Sequence, residues 1–239
     1  MTEEVRLERL VPDEIRAALK RRSLVFITLG TVEWHGAHLP VGLDALTAHG
    51  LCLRAAEAAG GLVLPPLFFG TGGGHGAYPW TIMVPPDQIE PLIMASLARL
   101  QDFGVQKAVL FSGHFAETQI TMIERVASRW NAGGGPLAVL ALAVNQCTDC
   151  GFAPDHAALF ETTLLAALHP DLVKLHLLPP VSTAPALDPD DNPMGPQRHD
   201  PGHPLYGIFG PDPRTFRMSQ AEPLLGAMVN WLLREVRES

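Results

Sequence analysis

Short apolar runs alternate with amphipathic stretches along most of the chain. Continuous apolar runs predict buried strands at residues 23–31, 62–64, 107–112 and 137–144. Apolar residues at helical spacing predict helices at residues 12–22, 45–59, 87–103, 117–130, 156–168 and 219–237. Strands that alternate with helices indicate a mostly parallel sheet covered on both faces, and hence an α/β fold. A length of 239 residues fits one such domain, residues 1–239.

Two long loops interrupt this alternation. Residues 69–80 form a glycine-rich loop without the Lys-Ser/Thr of a phosphate-binding loop, so its glycines indicate close backbone approach to a ligand or a subunit. Residues 179–213 are dense in proline, aspartate and glycine. A loop this long inside a compact domain is usually functional or packed against a neighbour. The sequence leaves open which subunit each loop serves.

The charge and the cysteine content narrow the class of partner. The chain has 25 acidic and 17 basic residues, a net charge of −8, which disfavours nucleic acid and anionic membranes and favours a small neutral or cationic partner. No apolar run approaches the roughly 20 residues of a membrane span, and residues 1–22 lack a secretory signal, so we expect a cytoplasmic protein. Three cysteines suit a reducing compartment. Cys147 and Cys150 have CxxC spacing without the further ligands of a zinc site, and we interpret them as incidental thiols near the pocket.

Residues with catalytic chemistry follow three of the predicted strands. Glu33 and His35 come just after the first strand and lie two apart, so in an extended segment they project to the same side. Asp44 stands directly before the next predicted helix, where a short loop can fold it back over the same strand end. Because ligands of parallel sheets sit outside the carboxyl ends of the strands, we expect one cleft to collect the whole set. Three residues after the later strands complete the set: His114, His156 and Glu161.

Carboxylates and imidazoles in one cluster suit Zn²⁺ or Mn²⁺. A carboxylate such as Asp44 can bridge two ions about 3.5–4 Å apart and leave room for a hydroxide between them, which predicts a two-metal hydrolytic site. Each residue also has a structural interpretation: Asp44 as a helix cap, His35 as a loop histidine and Glu161 as a solvated helix residue. His38 is expected either to orient a metal ligand or to be a buried, hydrogen-bonded histidine.

Several of these residues lie in motifs that resemble the creatininase (creatinine amidohydrolase) family. Residues 33–40, Glu-Trp-His-Gly-Ala-His-Leu-Pro, followed by Asp44, resemble the family's E-x-H-G-x-H-L-P and its later aspartate. The segment 112–114 resembles its N-G-H, and 156–162 resembles its H-A-x-x-x-E-T. Residues 78–81 resemble F-P-G-T, and 207–214 are similar to its late G-x-x-G-D-P segment. The resemblance runs from about Leu24 to the final helix.

The resemblance implies a three-layer α/β/α fold and a homo-oligomer, with a hexamer as a common size among members. It also implies two divalent ions, Zn²⁺ and/or Mn²⁺, bridged by Asp44. By resemblance, four of the five ligands are Glu33, His35, Asp44 and His114. In creatininase itself a glutamate two residues after the second-motif histidine completes the site, but this chain has Ala116 there. We expect Glu161 as the fifth ligand and keep Glu117 as the alternative, with a supporting role beside the site.

The sequence departs from the family at the edge of the expected pocket. Trp80 replaces the family's usual glycine, and Phe115 and Ala116 replace two further glycines, which adds bulk. We expect a set of imidazole and aromatic side chains to line the substrate pocket: His75, Tyr78, Trp80 and Phe115.

We predict a metal-dependent amidohydrolase that cleaves a C–N bond of a small, cyclic or creatinine-like amide through a hydroxide bridging two ions. His156 would give a proton to the leaving nitrogen. His156 and Glu161 lie about 140° apart around an ideal helix, so both can face the metals only if His156 precedes the first turn. Three alternatives stay open: a formamide deformylase, a metal-dependent sugar-processing hydrolase or lyase, and a non-catalytic, metal-stabilised oligomeric binding protein.

Overall fold

The computed structural model describes residues 3–186 and 194–238. The α-helices of these residues are α1 (Pro12–Arg21), α2 (Leu43–Ala59), α3 (Pro86–Asp102), α4 (Glu117–Ala132), α5 (Leu159–Leu168), α6 (Pro196–His199) and α7 (Ala221–Glu238). The strands are β1 (Leu24–Leu29), β2 (Leu62–Val63), β3 (Lys107–Ser112) and β4 (Ala138–Ala143). Short 3₁₀ turns lie at Leu7–Arg9, Val144–Gln146, Pro170–Leu172, Leu175–Leu177, Pro213–Thr215 and Met218–Gln220.

The four strands form one parallel sheet in the order β2-β1-β3-β4. The register pairs Leu29 with Ser112, and Ser112 with Ala143. The carboxyl ends of β1, β3 and β4 therefore stop side by side at one edge. Chain segments that leave these strands begin at a common place, which is the condition for distant residues to meet there.

Helices cover both faces of the sheet. Phe26 of β1 and Phe111 of β3 pack into the apolar cluster under α2, α5 and α7, whereas Val25 and Ile27 pack into the cluster under α1, α3 and α4. All six residues of β1 are buried, as the continuous apolar run predicts for a strand enclosed on both faces. The predicted three-layer α/β/α sandwich is confirmed.

Some element boundaries differ from the predictions at places that matter for the site. The helix predicted to start after Asp44 begins at Leu43, so Asp44 lies inside the first turn rather than before it. The helix predicted from His156 begins three residues later, at Leu159. The loop at residues 179–213 contains the short helix α6, and its residues 187–193 lie outside the described part of the chain.

Two further observations concern the core. No helix within residues 3–186 and 194–238 combines the length and the apolar character needed to cross a membrane. Cys147 and Cys150 are free thiols buried in the cluster under α7, and among the described residues neither lines the site cavity. The turn after β4 directs both thiols into the core, and their distance from the pocket stays a prediction.

Candidate metal centre

Backbone carbonyls fix the orientation of two histidine rings at the strand ends. His35 Nδ1 donates to the Glu33 carbonyl at 3.0 Å, and His114 Nε2 donates to the Thr71 carbonyl at 3.2 Å. A carbonyl oxygen can only accept a hydrogen bond, so in the neutral form of each ring the proton sits on the nitrogen that faces the carbonyl. The opposite nitrogens, His35 Nε2 and His114 Nδ1, face the carboxylates. This arrangement, with one nitrogen anchored and the other presented, is typical of metal-ligating histidines.

Two glycines seat the first turn of α2 against the strand ends. A Cβ on Gly113, just after β3, would lie 2.0 Å from the carbonyl oxygen of Asp44, and a Cβ on Gly30, just after β1, would lie 2.1 Å from the nitrogen of Ala45. Real Cβ atoms essentially never approach so closely. The lack of a side chain at both positions therefore lets α2 carry Asp44 into the middle of the cluster.

The carboxylate of Asp44 stands between two histidines. Its Oδ1 lies 3.2 Å from His35 Nε2, and its Oδ2 lies 3.3 Å from His114 Nδ1. Glu33 Oε2 lies 3.0 Å from His114 Nδ1, and Glu161 Oε2 lies 3.5 Å from His35 Nε2. Two triads that share Asp44 result, one of Glu33, Asp44 and His114 and the other of His35, Asp44 and Glu161. A third candidate group joins Glu33, His35 and His156. All five side chains of the two triads are buried.

These distances fit ligands that surround common ions. Zinc–nitrogen and zinc–oxygen bonds of about 2.0–2.1 Å in a tetrahedron place neighbouring donor atoms about 3.3 Å apart. The four contacts span 3.0–3.5 Å, close to that value. His35 Nε2 and Asp44 Oδ2 are buried within the described structure without a hydrogen-bond partner of acceptable geometry, despite their short contacts. Buried ligand atoms without a hydrogen-bond partner, one beside His114 and one on His35, fit divalent cations.

The pKa shifts of the metal-free cluster also indicate a cation site. Burial lowers the pKa of His35, but the charges of Asp44 and Glu161 outweigh burial and raise that pKa to about 10. Burial also lowers the pKa of His114, yet its contacts with Asp44 and Glu33 raise it to about 10. Burial raises the pKa of Glu161 well above its usual range. Protons thus balance the buried carboxylates, and cations that bound here would displace those protons.

The start of α5 directs Glu161 into the cluster. Asp155 Oδ2 accepts a 2.7 Å hydrogen bond from the Phe160 N–H and so satisfies one of the free N–H groups of the first turn. The Ala157 N–H donates to Glu161 Oε2 at 2.6 Å. His38, considered as a residue that orients a ligand, is buried with Nε2 3.2 Å from Thr162 Oγ1, beside Glu161 on the helix. These contacts hold the first turn of α5 against the loop after β1.

His156 precedes the first turn of α5, which meets the condition for it and Glu161 to face one site. Its Nε2 donates to the Trp34 carbonyl at 3.1 Å, so Nδ1 is the nitrogen without a proton in the neutral ring. Burial lowers the pKa of His156 well below its usual value, which keeps the ring neutral. The ring centroids of His35 and His75 each lie 4.6 Å from that of His156. A neutral imidazole therefore stands directly beside the cluster.

A cavity of about 230 Å³ opens over the cluster. His75 and Phe115, two of the four predicted pocket residues, line it. Tyr78 lies behind His75, with ring centroids 5.0 Å apart, and is buried. The structure does not bring Trp80 to the cavity, because its backbone turns with φ of +59° and leaves the side chain 79% exposed.

The structure does not bring Glu117, the alternative fifth ligand, to the cluster. Glu117 is the first residue of α4 and its side chain is exposed, because the helix starts immediately after Ala116 and turns Glu117 outward. Glu161 occupies the position beside His35 and Asp44 instead.

Sequence reasoning missed two residues of the cavity wall, Arg198 and Phe209. Both lie in the proline-rich loop region, where no periodic pattern indicates the position of a side chain. The nearby Gly207-to-Gly210 motif was a signal, since the backbone of Phe209 pairs with that of His156 in an antiparallel bridge. The two glycines that make room for α2, Gly30 and Gly113, were missed as well, although each lies at the end of a strand.

The fold and the cluster define a class: an α/β/α protein with a buried carboxylate–imidazole centre at the carboxyl edge of a parallel sheet. A family model described as "Creatininase: Creatinine amidohydrolase" matches residues 8–236. The chain therefore belongs to the creatininase family. The predicted family and the predicted enzyme class, a hydrolase that acts on carbon–nitrogen bonds, are confirmed.

Characterised relatives share about a quarter of the sequence. Creatinine amidohydrolase of Pseudomonas putida is 27% identical over 90% of this chain and 89% of the relative. Mycofactocin precursor peptide peptidase of Mycolicibacterium smegmatis is 26% identical over 87% of this chain and 81% of the relative. Solved creatininase structures are 25% identical, with a TM-score of 0.78 for one and 0.76 for a manganese form, and cover 99% of this chain and 98% of theirs.

Proposed function

We propose that this protein hydrolyses a C–N bond of a small, cyclic or creatinine-like amide and uses two divalent ions bridged by Asp44. The observation that carries the proposal is the pair of overlapping triads, in which each oxygen of one carboxylate faces a different histidine. A single ion would need neither the second histidine nor the second glutamate. A structural site would not need a cavity over the ions.

The donor set supports zinc or manganese as the ions. Imidazole nitrogens and carboxylate oxygens are borderline to hard ligands, and none of the described residues of the centre is a cysteine, whose thiolate favours softer metals. The manganese form of creatininase supports manganese as one candidate. When bound, the two ions would supply a water of lowered pKa and positive charge for the carbonyl oxygen of the substrate.

His156 performs the proton transfer in this proposal. Because the ring is neutral and Nε2 is committed to the Trp34 carbonyl, Nδ1 can accept a proton from the attacking water. The same atom then returns the proton to the departing nitrogen. The aromatic ring of Phe209, 5.3 Å from the imidazole between centroids and nearly parallel to it, holds the plane of His156 while the proton moves.

The cavity favours a small substrate over a peptide. Its volume of about 230 Å³ lies below the roughly 300–1,000 Å³ typical of sites for drug-sized ligands. The peptidase relative nevertheless makes peptide-bond hydrolysis a rival to test, since both reactions attack an amide carbonyl. Phe115, placed where the family has glycine, is one of the side chains that line this small cavity, which favours the small amide.

Elemental analysis combined with a substrate panel tests the proposal. The purified protein should contain two divalent ions per chain and release ammonia or amine from at least one small amide or imide, and EDTA should abolish the release. Asp44→Asn should lower both metals together, because one substitution removes the charge shared by both triads. Asp102→Asn, an exposed carboxylate on α3, should change neither.

Other results of the same panel would contradict the proposal in distinguishable ways. Normal metal content with normal turnover in Asp44→Asn would refute the bridging role. Formate release from formamides would favour the deformylase alternative. Carbonyl products without amine would favour the sugar-processing alternative. Metal-loaded protein that binds amides without turning any over would favour a binding protein.

A further inference from the structure

The glycine-rich loop, residues 69–80, makes a contact with the metal centre that the proposed chemistry does not use. His75 Nδ1 donates a hydrogen bond to Oε1 of Glu33, while Oε2 of Glu33 lies 3.0 Å from His114 Nδ1. We propose that His75 is a positioning residue for Glu33: it holds Oε1 and thereby turns Oε2 toward the metal position of the triad that Glu33 shares with Asp44 and His114. This inference rests on the proposed function, because it assigns a support to one of the two metal positions.

The charge on Glu33 fixes the direction of this hydrogen bond. Burial raises the pKa of Glu33, but hydrogen bonds from His114 and His75 outweigh burial and hold that pKa well below its usual range. An ionised carboxylate accepts and cannot donate, so Nδ1 of His75 carries the proton. Carboxylates that bind metals are commonly hydrogen-bonded to a neighbouring side chain, which orients them. His75 is such a neighbour for Glu33.

Aromatic neighbours hold the imidazole ring of His75 in place. The ring stacks on that of Tyr78, with centroids 5.0 Å apart and planes 22° apart, and its centroid lies 5.7 Å from that of Phe209. The Tyr78 N–H also donates to the His75 carbonyl at 2.9 Å. The side chain of His75 is only 13% exposed. A ring held in this way can direct one nitrogen at one carboxylate oxygen.

The stretch of loop before His75 has little support of its own. Gly72, Gly73 and Gly74 have φ of +88°, +85° and +69°, and none of the three makes a hydrogen bond within the described part of the chain. Because glycine adopts this left-handed region readily, the three residues do not fix the path of the loop. Thr71 and His75, on either side of the glycines, fix it through their contacts with the metal centre.

The same loop also holds a second ligand of this triad. The Thr71 carbonyl accepts a hydrogen bond from His114 Nε2 at 3.2 Å. In the other triad, His35 and Glu161 are held by backbone groups outside the loop. Loss of the His75 contact should therefore weaken one metal position and leave the other.

Two substitutions at one position separate the hydrogen bond from the ring. His75→Phe keeps an aromatic ring beside Tyr78 but removes the donor, whereas His75→Asn removes the ring and keeps an N–H donor near the place of Nδ1. Zinc-loaded proteins are dialysed against increasing concentrations of a chelator, and the remaining zinc is measured by elemental analysis. His75→Phe should bind one of its two ions about 10- to 100-fold more weakly than the wild type, the usual cost of losing a side chain that orients a metal ligand.

His75→Asn should lie much closer to the wild type, because it restores the donor. His176→Asn, at an exposed histidine of the turn Leu175–Leu177, should match the wild type. Cobalt in place of zinc gives a second measurement, since the visible absorption of Co²⁺ depends on the geometry of its ligands. The cobalt spectrum should change in His75→Phe and stay unchanged in His176→Asn. Circular dichroism checks that the variants fold.

Each outcome decides the assignment. Wild-type affinity for both ions and an unchanged cobalt spectrum in His75→Phe would overturn it. Equal weakening of both ions, or an equal loss in His75→Phe and His75→Asn, would also overturn it, because the effect would not pass through the donor to Glu33. Two bound ions without hydrolysis of any amide contradict the proposed function alone. Amide hydrolysis together with unchanged metal binding in His75→Phe contradicts the role of His75 alone, and wild-type protein that binds no divalent ion contradicts both.

Discussion

Gly113→Ala should damage the metal centre without touching any of its ligands. The new Cβ would lie 2.0 Å from the carbonyl oxygen of Asp44, whereas ordinary contact begins at 3.4 Å, so the first turn of α2 must retreat by about 1.4 Å. Metal donors tolerate displacements of only about 0.2 Å. Gly30, on the other side of the turn, leaves equally little room for α2 to rotate instead.

We expect Gly113→Ala to lose most of its bound metal and at least about 100-fold in kcat, since a misplacement of about 1 Å can cost that much. Overpacking should lower the free energy of unfolding by about 1–3 kcal/mol, measured by urea denaturation. The control is Gly226→Ala on α7, where a Cβ meets no atom within 4 Å and alanine should stabilise the helix by about 0.5–1 kcal/mol. Full metal content and wild-type kcat in Gly113→Ala would falsify this account of how Asp44 is positioned.

Three further predictions concern the ligands, the proton carrier and the ions. Glu161→Gln should lose metal, measured by elemental analysis, whereas Glu117→Gln should keep it; the reverse result would restore Glu117 as the fifth ligand. His156→Ala should keep its metals but lose about 10²–10⁴-fold in kcat, the usual contribution of a general acid–base, and an unchanged kcat would remove it from the mechanism. EDTA should lower Tm, and added Zn²⁺ or Mn²⁺ should restore it, with about 2.7 kcal/mol of stabilisation when free metal is 100 times its Kd. An identical Tm with and without metal would contradict the assignment of the cluster as a metal site.

Most of the fold could be predicted from the pattern of apolar residues. The strands β1 and β3 are enclosed on both faces, so their sequences are continuous apolar runs, which predict buried strands. The first residues of α2 and α5 were not predicted, because the start of each helix depends on contacts with residues distant in the sequence. The side chain of Asp155 accepts a hydrogen bond from the first turn of α5, which begins at Leu159, and His156 stays outside the helix. The single-domain organisation, the homo-oligomer and the cytoplasmic location stay predictions.

Chemistry at the strand ends predicted the residues of the candidate site and one cleft for them, but the choice between Glu161 and Glu117 as the fifth ligand stayed open. Nothing in the local sequence separates Glu161 from Glu117, since each opens or nearly opens a helix. The helix axes decide it, because α5 points its first turn at the cluster and α4 turns Glu117 to solvent. Trp80 illustrates the same limit: it lies in a motif that resembles a family segment, yet its side chain is exposed.

The sequence by itself determined the layered α/β architecture and the kinds of donor available, because apolar periodicity and residue chemistry are local properties. Only the tertiary structure decided that Asp44 lies between two histidines, that two glycines make room for it, and that Arg198 stands over the same cavity. The physical reason is that these relations join segments far apart along the chain, and only packing fixes the distances between them.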